Sequence, residues 1–209
     1  AVDAPGQLAG EAGHLFERGL DMALHGMIHL LIRGNWSTEA AGERQYGDPN
    51  ERGTTLAPMA RADLRDELHK QVQASVAKGA RVLIGGEPIA GSHAGYPASV
   101  LDQVGPGMPA YDEELFGPVA AVIRVKDEAE ALRVANDTRF GLGGSVWTRD
   151  PVRGESFAQR MECGAAFVNA IVKSDARLPF GGSKESGFGR ELADHGIHEF
   201  MNIKTIYVA

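Results

Sequence analysis

The sequence predicts an α/β fold, a mainly parallel sheet flanked by helices, on three observations. From Met59 onward, strand-like and helix-like segments alternate at short spacing, as crossover units do. Residues 120–125 form a near-continuous apolar run, the pattern of a strand covered on both faces. Two helix starts carry their own signatures, Asp127 with Glu130 and Asp150 with Pro151.

Each element follows in order. Residues 15–32 are apolar, and Phe16, Leu20, Leu24, Ile28 and Leu31 keep an approximately helical spacing. The spacing predicts a helix here, although Gly19 and Gly26 each cost it about 1 kcal/mol against alanine. Residues 35–53 are rich in Asn, Ser, Gly, Asp and Pro and read as loop. Leu64, Leu68, Val72 and Val76 make a helical stripe, with Asp66 and Lys70 paired on its surface and Gly79 as its stop. Residues 81–84, 98–104, 120–125, 144–147 and 165–169 read as strands. Helices are expected from Asp127 to near Asn136, after Asp150 with Phe157 and Met161 facing inward, and over residues 192–200. Residues 203–208 alternate well enough for a terminal strand, with Ile203 and Val208 at its ends.

Composition narrows the function. A chain of 209 residues with 43% hydrophobic and 23% charged residues supports a real core and excludes disorder. A formal charge of −7 argues against nucleic acid. One cysteine excludes a disulfide framework and multi-cysteine zinc sites, and fits a reducing compartment. The apolar runs are too short to span a bilayer and no secretory pattern opens the chain. The expectation is a soluble, cytoplasmic protein with no membrane partner.

Three segments could carry chemistry. Asp112-Glu113-Glu114-Leu115-Phe116-Gly117-Pro118-Val119 sets three carboxylates before an aromatic and a Gly-Pro turn. It reads either as a charged loop entering a strand or as a ligand-facing loop. In the second case a carboxylate accepts from a sugar diol while the ring packs on a flat group. Residues 178–191 hold the densest glycine cluster, but Gly187-Phe188-Gly189 lacks a third glycine at the dinucleotide offset. Spacing alone favours a structural loop. Cys163 lies at the mouth of a predicted strand with only Arg160 nearby in sequence, so it reads as an inert, buried thiol. His25 and His29, and His195 and His198, could share helix faces, but no acidic partner stands at ligand spacing, so no metal site is expected. No Gly-x-Ser-x-Gly elbow occurs.

Taken together, these segments resemble the C-terminal part of the catalytic domain of the aldehyde dehydrogenase superfamily. The resemblance rests on Tyr46-Gly47-Asp48-Pro49, residues 109–119, Ala135-Asn136-Asp137-Thr138-Arg139-Phe140-Gly141-Leu142-Gly143-Gly144-Ser145-Val146-Trp147-Thr148, residues 164–169 and residues 178–196. Residues 173–182 and 199–205 look most like bacterial succinate-semialdehyde dehydrogenases. The resemblance implies a divergent segment over 1–45, a catalytic-domain-like region over 46–201 and a terminal oligomerisation strand over 202–209.

The family mechanism adds a cysteine thiolate to the aldehyde carbon, passes hydride to NAD or NADP, and releases the acid through a glutamate-activated water. By resemblance, Glu114 holds the nicotinamide ribose and Phe116 packs near the nicotinamide. Ser174 sits in the loop that anchors the distal carboxylate of a small aldehyde. Asn169 and Phe180, with the turn around Phe180, shape the neighbouring wall. The family's nucleotide-binding half, its general-base glutamate and its oxyanion asparagine have no counterpart here. Where Gly-Gln-x-Cys is expected, the chain reads Gly6-Gln7-Leu8-Ala9, so the position of the catalytic cysteine holds Ala9. Cofactor binding by this chain alone is therefore expected to be weak or absent. Three functions stay open: part of an NAD(P)-dependent aldehyde oxidoreductase, a non-catalytic relative serving assembly or ligand binding, and a cofactor-independent hydrolase. A homo-oligomer through residues 203–208 is expected.

Overall fold

A computed structural model describes residues 21–25, 29–32 and 39–209. Among the described residues seven strands form one mixed sheet: β1 (Asp21–His25), β2 (His29–Ile32), β3 (Arg81–Ile84), β4 (Ser99–Asp102), β5 (Val119–Arg124), β7 (Gly143–Trp147) and β8 (Ala165–Val168). Their spatial order is β3-β4-β5-β2-β1-β7-β8. β4 and β5 run parallel, as do β5 and β2, and β7 and β8. β1 is antiparallel to both its neighbours, β2 and β7. A second ladder pairs β6 (Phe140–Gly141) with β9 (Ser183–Lys184).

The expected helix over residues 15–32 is corrected: two strands, β1 and β2, occupy the part that is described. Ladder bonds to β5 and β7 on either side outweigh a helical spacing already weakened by glycine. Ala9 and residues 15–20 lie outside the described residues.

Downstream, local signals and structure agree closely. After a four-residue turn of helix, α1 (Glu39–Gly42), comes α2 (Ala62–Ala77), which ends as Gly79 takes a left-handed φ of 112°. Its buried face is Leu68, Val72 and Ser75, whereas Val76 is 40% exposed. The face turns because Ser75 Oγ accepts from Ala110 N at 2.9 Å, which pulls the short helix α3 (Pro109–Asp112) onto it. The surface pairs also differ from expectation: Lys70 reaches Glu67 at 3.4 Å and Asp66 takes Arg65 at 2.7 Å.

Helix α4 (Glu128–Asn136) starts at its capping box. Asp127 Oδ1 accepts from Glu130 N at 2.8 Å, and Glu130 Oε2 reaches back to Lys126 N at 2.8 Å. In α5 (Pro151–Ala158), Asp150 Oδ1 accepts from Val152 N and Arg153 N, and Phe157 is fully buried. The last helix is α6 (Ala193–His198).

The core joins Leu68 and Val72 of α2 and Phe157 of α5 with Tyr96, Leu101 and Val119. Residues 203–208, expected as a strand, form no regular element here, with Ile203 85% and Val208 86% exposed. A strand requires a ladder partner, and none stands beside this segment among the described residues.

Candidate functional site

The loop that leads from α3 into β5 is held from below and open above. Tyr111 is buried, and its hydroxyl donates to Asp137 Oδ2 at 2.8 Å; burial first, then Asp137, pushes the phenol up to about 12. Gln71 of α2 gives its side-chain amide to Glu113 Oε2 at 2.9 Å and to the Glu114 carbonyl at 3.2 Å. Leu115 is buried, and Gly117 lies so close to α2 that a Cβ there would overlap Leu68 and reach Met59. With these anchors below, Phe116 stands 70% exposed. Glu114 is half-buried, and among the described residues none bonds its carboxylate. Of the three carboxylates in this loop, Glu113 is engaged by Gln71 and Glu114 is open to a ligand.

The other expected residues follow β8. Asn169, at φ 52°, gives both ends of its amide to Thr148, accepting from its N at 2.8 Å and donating to its O at 2.9 Å. It thereby extends the β7–β8 ladder beyond the last residue of β8. The chain then doubles back: Val172 lies where a Cβ on Gly143, at the start of β7, would meet it. Ser174 is exposed in the returning loop, which Asp175 braces by accepting from Arg177 N at 2.9 Å and from its guanidinium at 2.7 and 2.9 Å. The Arg177 hydrogen bonds hold the Asp175 carboxyl far below the usual carboxylate range.

Phe180 exchanges backbone hydrogen bonds with Glu191 at 2.8 and 2.7 Å. Beside it, the Gly181 carbonyl occupies the space a Cβ on Gly164 would need, directly before β8. Arg190 Nη1 closes the turn on the carbonyls of Gly182 and Gly189. Lys184 Nζ donates to Asn136 O at 2.7 Å and Thr138 O at 3.0 Å and meets Glu162 at 3.0 Å. The glycine cluster is thus packed backbone against backbone.

β5 and β8 point the same way through the ladder. The Glu114–Phe116 loop, the Ser174 loop and the Phe180 turn therefore lie toward the starting end of these strands, and Asn169 lies at the finishing end. Across the sheet the Glu114–Phe116 loop, at β5, is three strand spacings from the Ser174 loop, at β7, and four from the Phe180 turn, at β8, roughly 14 and 19 Å.

Cys163, just before β8, is partly buried, with Sγ 3.4 Å from Ala165 O; burial pushes its thiol up. Among the described residues no three His, Cys, Asp or Glu side chains gather as metal ligands, and no helix is long and apolar enough to cross a membrane. Sequence reasoning missed Gln71, the brace of the Glu114 loop. It lies more than forty residues away on another element, and no local pattern marks it.

An open carboxylate can accept from a sugar diol, and an exposed ring two residues away can cover a flat ring. Residues 36–206 match the model of the aldehyde dehydrogenase family. The succinate semialdehyde dehydrogenase (NAD(P)+) Sad of Escherichia coli strain K12 is 51% identical over 168 residues, 80% of this chain and 36% of its own length. Succinate-semialdehyde dehydrogenase (NADP(+)) 1 of Mycobacterium ulcerans is 46% identical over 78% of this chain and 35% of its own. The crystal structure of succinic semialdehyde dehydrogenase from Streptococcus pyogenes in complex with NADP+ superposes with a TM-score of 0.77 at 35% identity. That match covers 82% of this chain and 38% of the other. The chain thus spans little more than a third of the length of these relatives, and over that span it belongs to the aldehyde dehydrogenase family.

Proposed function

We propose that this chain supplies part of the catalytic domain of an NAD(P)-dependent dehydrogenase for a small aldehyde with a distal carboxylate, succinate semialdehyde being the substrate named for its relatives. One observation carries the reading: Glu114, whose carboxylate no described residue bonds, stands two residues from the exposed Phe116 on a loop fixed by Gln71 and Gly117.

In this reading Glu114 accepts hydrogen bonds from the two ribose hydroxyls, one at each oxygen. Phe116 covers one face of the nicotinamide and excludes water there. When bound, the dinucleotide would supply the hydride acceptor for aldehyde oxidation. The exposed Ser174 hydroxyl donates to the substrate's distal carboxylate, and Phe180 limits the pocket beside it. Asn169 acts at a distance by bracing the ends of β7 and β8.

The test is calorimetric titration of the chain with NAD, with NADH formation from succinic semialdehyde measured in parallel. The described residues provide for only one end of the cofactor, so binding is expected to be weak and abolished by Glu114→Ala. Turnover is expected at background, because positioning can contribute roughly 7–11 kcal/mol of barrier lowering and Ala9 stands where the family's nucleophile is expected. NAD binding that Glu114→Ala leaves unchanged overturns the assignment. Ala9 also motivates a second reading, a non-catalytic relative that keeps the fold for assembly; robust turnover by homogeneous chain would exclude it.

A further inference from the structure

Away from this site, α2 and the loop of residues 85–98 are joined through a histidine whose two ring nitrogens both face polar groups. His69 Nδ1 lies 3.2 Å from the Tyr96 hydroxyl, and His69 Nε2 lies 3.4 Å from Glu87 Oε2. The Tyr96 hydroxyl also lies 2.9 Å from the Gly86 carbonyl. Tyr96 is fully buried, and burial, followed by the charge of Glu87, pushes its phenol well above the ordinary range. It therefore keeps its proton.

A carbonyl has no proton to give, so the single hydroxyl proton of Tyr96 goes to Gly86 O. The contact with His69 must then run the other way, with Nδ1–H donating to the phenol oxygen. That assignment fixes the state of the second nitrogen. In the neutral ring Nε2 carries a bare lone pair aimed at a carboxylate, and only the protonated ring turns this contact into an attraction.

We propose that His69 is a proton-dependent fastener between α2 and the 85–98 loop, closed when Nε2 carries a proton and loosened when it does not. The charged groups around it are Glu87 from the loop and, one turn back on α2, Arg65 and Asp66. Arg65 is engaged by Asp66 at 2.7 Å and by the Ser92 carbonyl at 3.3 Å, so Glu87 is the group that answers the ring. The loop it holds is a junction. Ser92 Oγ bonds Tyr46 Oη, and Ala94 O accepts from Met59 N at 3.0 Å.

The experiment is amide hydrogen exchange of the full chain between about pH 5 and 8, the range in which histidine changes charge, corrected for intrinsic exchange. Protection of residues 86–96 is expected to fall as pH rises, by about two- to fivefold, the size expected of a partly exposed ion pair. Residues of β5 report the rest of the fold and should not change. Glu87→Gln keeps the shape of a side chain that is 78% exposed, so this variant tests the idea without threatening the core. It should flatten the profile, as should His69→Gln. The ring-nitrogen shifts of His69 at the alkaline end should show the Nδ1–H form. A pH-independent loop, a profile that survives Glu87→Gln, or an Nε2–H ring would each overturn the proposal.

Discussion

Replacing Arg124 with alanine strips Asp102 of a two-point partner. Arg124 Nε and Nη2 reach the two oxygens of Asp102 at 2.8 and 2.7 Å across the β4–β5 ladder, and the Asp102 side chain is only 7% exposed. Breaking a fully buried pair from one side costs about 3–5 kcal/mol. Arg124 is itself 44% exposed, so solvent takes over part of the loss. The expected cost at neutral pH is then about 2 kcal/mol. For a chain of 209 residues this lowers Tm by roughly 4–8 °C.

The pH dependence makes the prediction sharper. Burial works against the Asp102 carboxylate, but Arg124 and the Gln103 N–H outweigh it, and the group ionises below its ordinary value. Its stabilisation is complete above the unfolded carboxylate value, about 3.9, and is lost as pH falls through the folded value. In Arg124→Ala the guanidinium no longer offsets burial, so acid relieves the variant before it harms the parent. Urea unfolding at several acidities should show the gap of about 2 kcal/mol shrinking as pH falls below the ordinary carboxylate value, about 3.9. A gap that ignores pH, or an Asp102→Asn, Arg124→Ala double variant that adds within about 0.5 kcal/mol, would refute the reasoning.

Other outcomes follow from the same structure. Gly117→Ala must push a methyl into Leu68, and is expected to cost about 1–3 kcal/mol in thermal unfolding; an unchanged Tm sinks that reading of the loop. The Cys163 thiol, raised by burial, should react slowly with a thiol reagent in the native chain and fast once urea unfolds it. Rapid native labelling would contradict this. Lys184→Met removes a cation shared by two carbonyls and Glu162; a loss of about 1.5–3 kcal/mol should appear in chemical unfolding. We further propose that residues 203–208, exposed along Ile203, Ile206 and Tyr207, pair with a second copy of the chain. Deleting residues 202–209 should shift the sedimenting species to monomer, and a parent chain already monomeric would end that proposal.

How much of this was legible in sequence depends on how local each signal is. The caps at Asp127 and Asp150 were readable because donor and acceptor sit within three residues of each other. The apolar run of β5 was readable because burial on both faces leaves no room for a polar residue inside the strand. Val76 was misplaced on the inner face of α2 because the face is set by Ser75, whose partner Ala110 lies far along the chain. The strands β1 and β2 were misread for a similar reason, since apart from each other their pairing partners lie beyond residue 118. At the candidate site the Glu114–Phe116 motif was visible, but its brace, Gln71, and the confinement of Asn169 to Thr148 were not. Those contacts belong to the packing of separate elements, which no window along the chain contains.

The order of the sheet has a consequence for how the chain reaches its structure. The outer strands come from one continuous stretch of sequence, yet β5 and β7 never touch. The hairpin of β1 and β2 is inserted between them. His29 must find Ala121, and His25 must find Gly143, each across about half of the chain. Such closures are entropically late, since distant ends must be brought together before any bond rewards them. Two half-sheets, β3-β4-β5 and β7-β8, can therefore assemble independently and wait, each with an open backbone edge, for a single hairpin to join them. In that interval two incomplete molecules can bridge each other's edges as readily as either can finish itself, so yield on refolding should depend on how dilute the chains are.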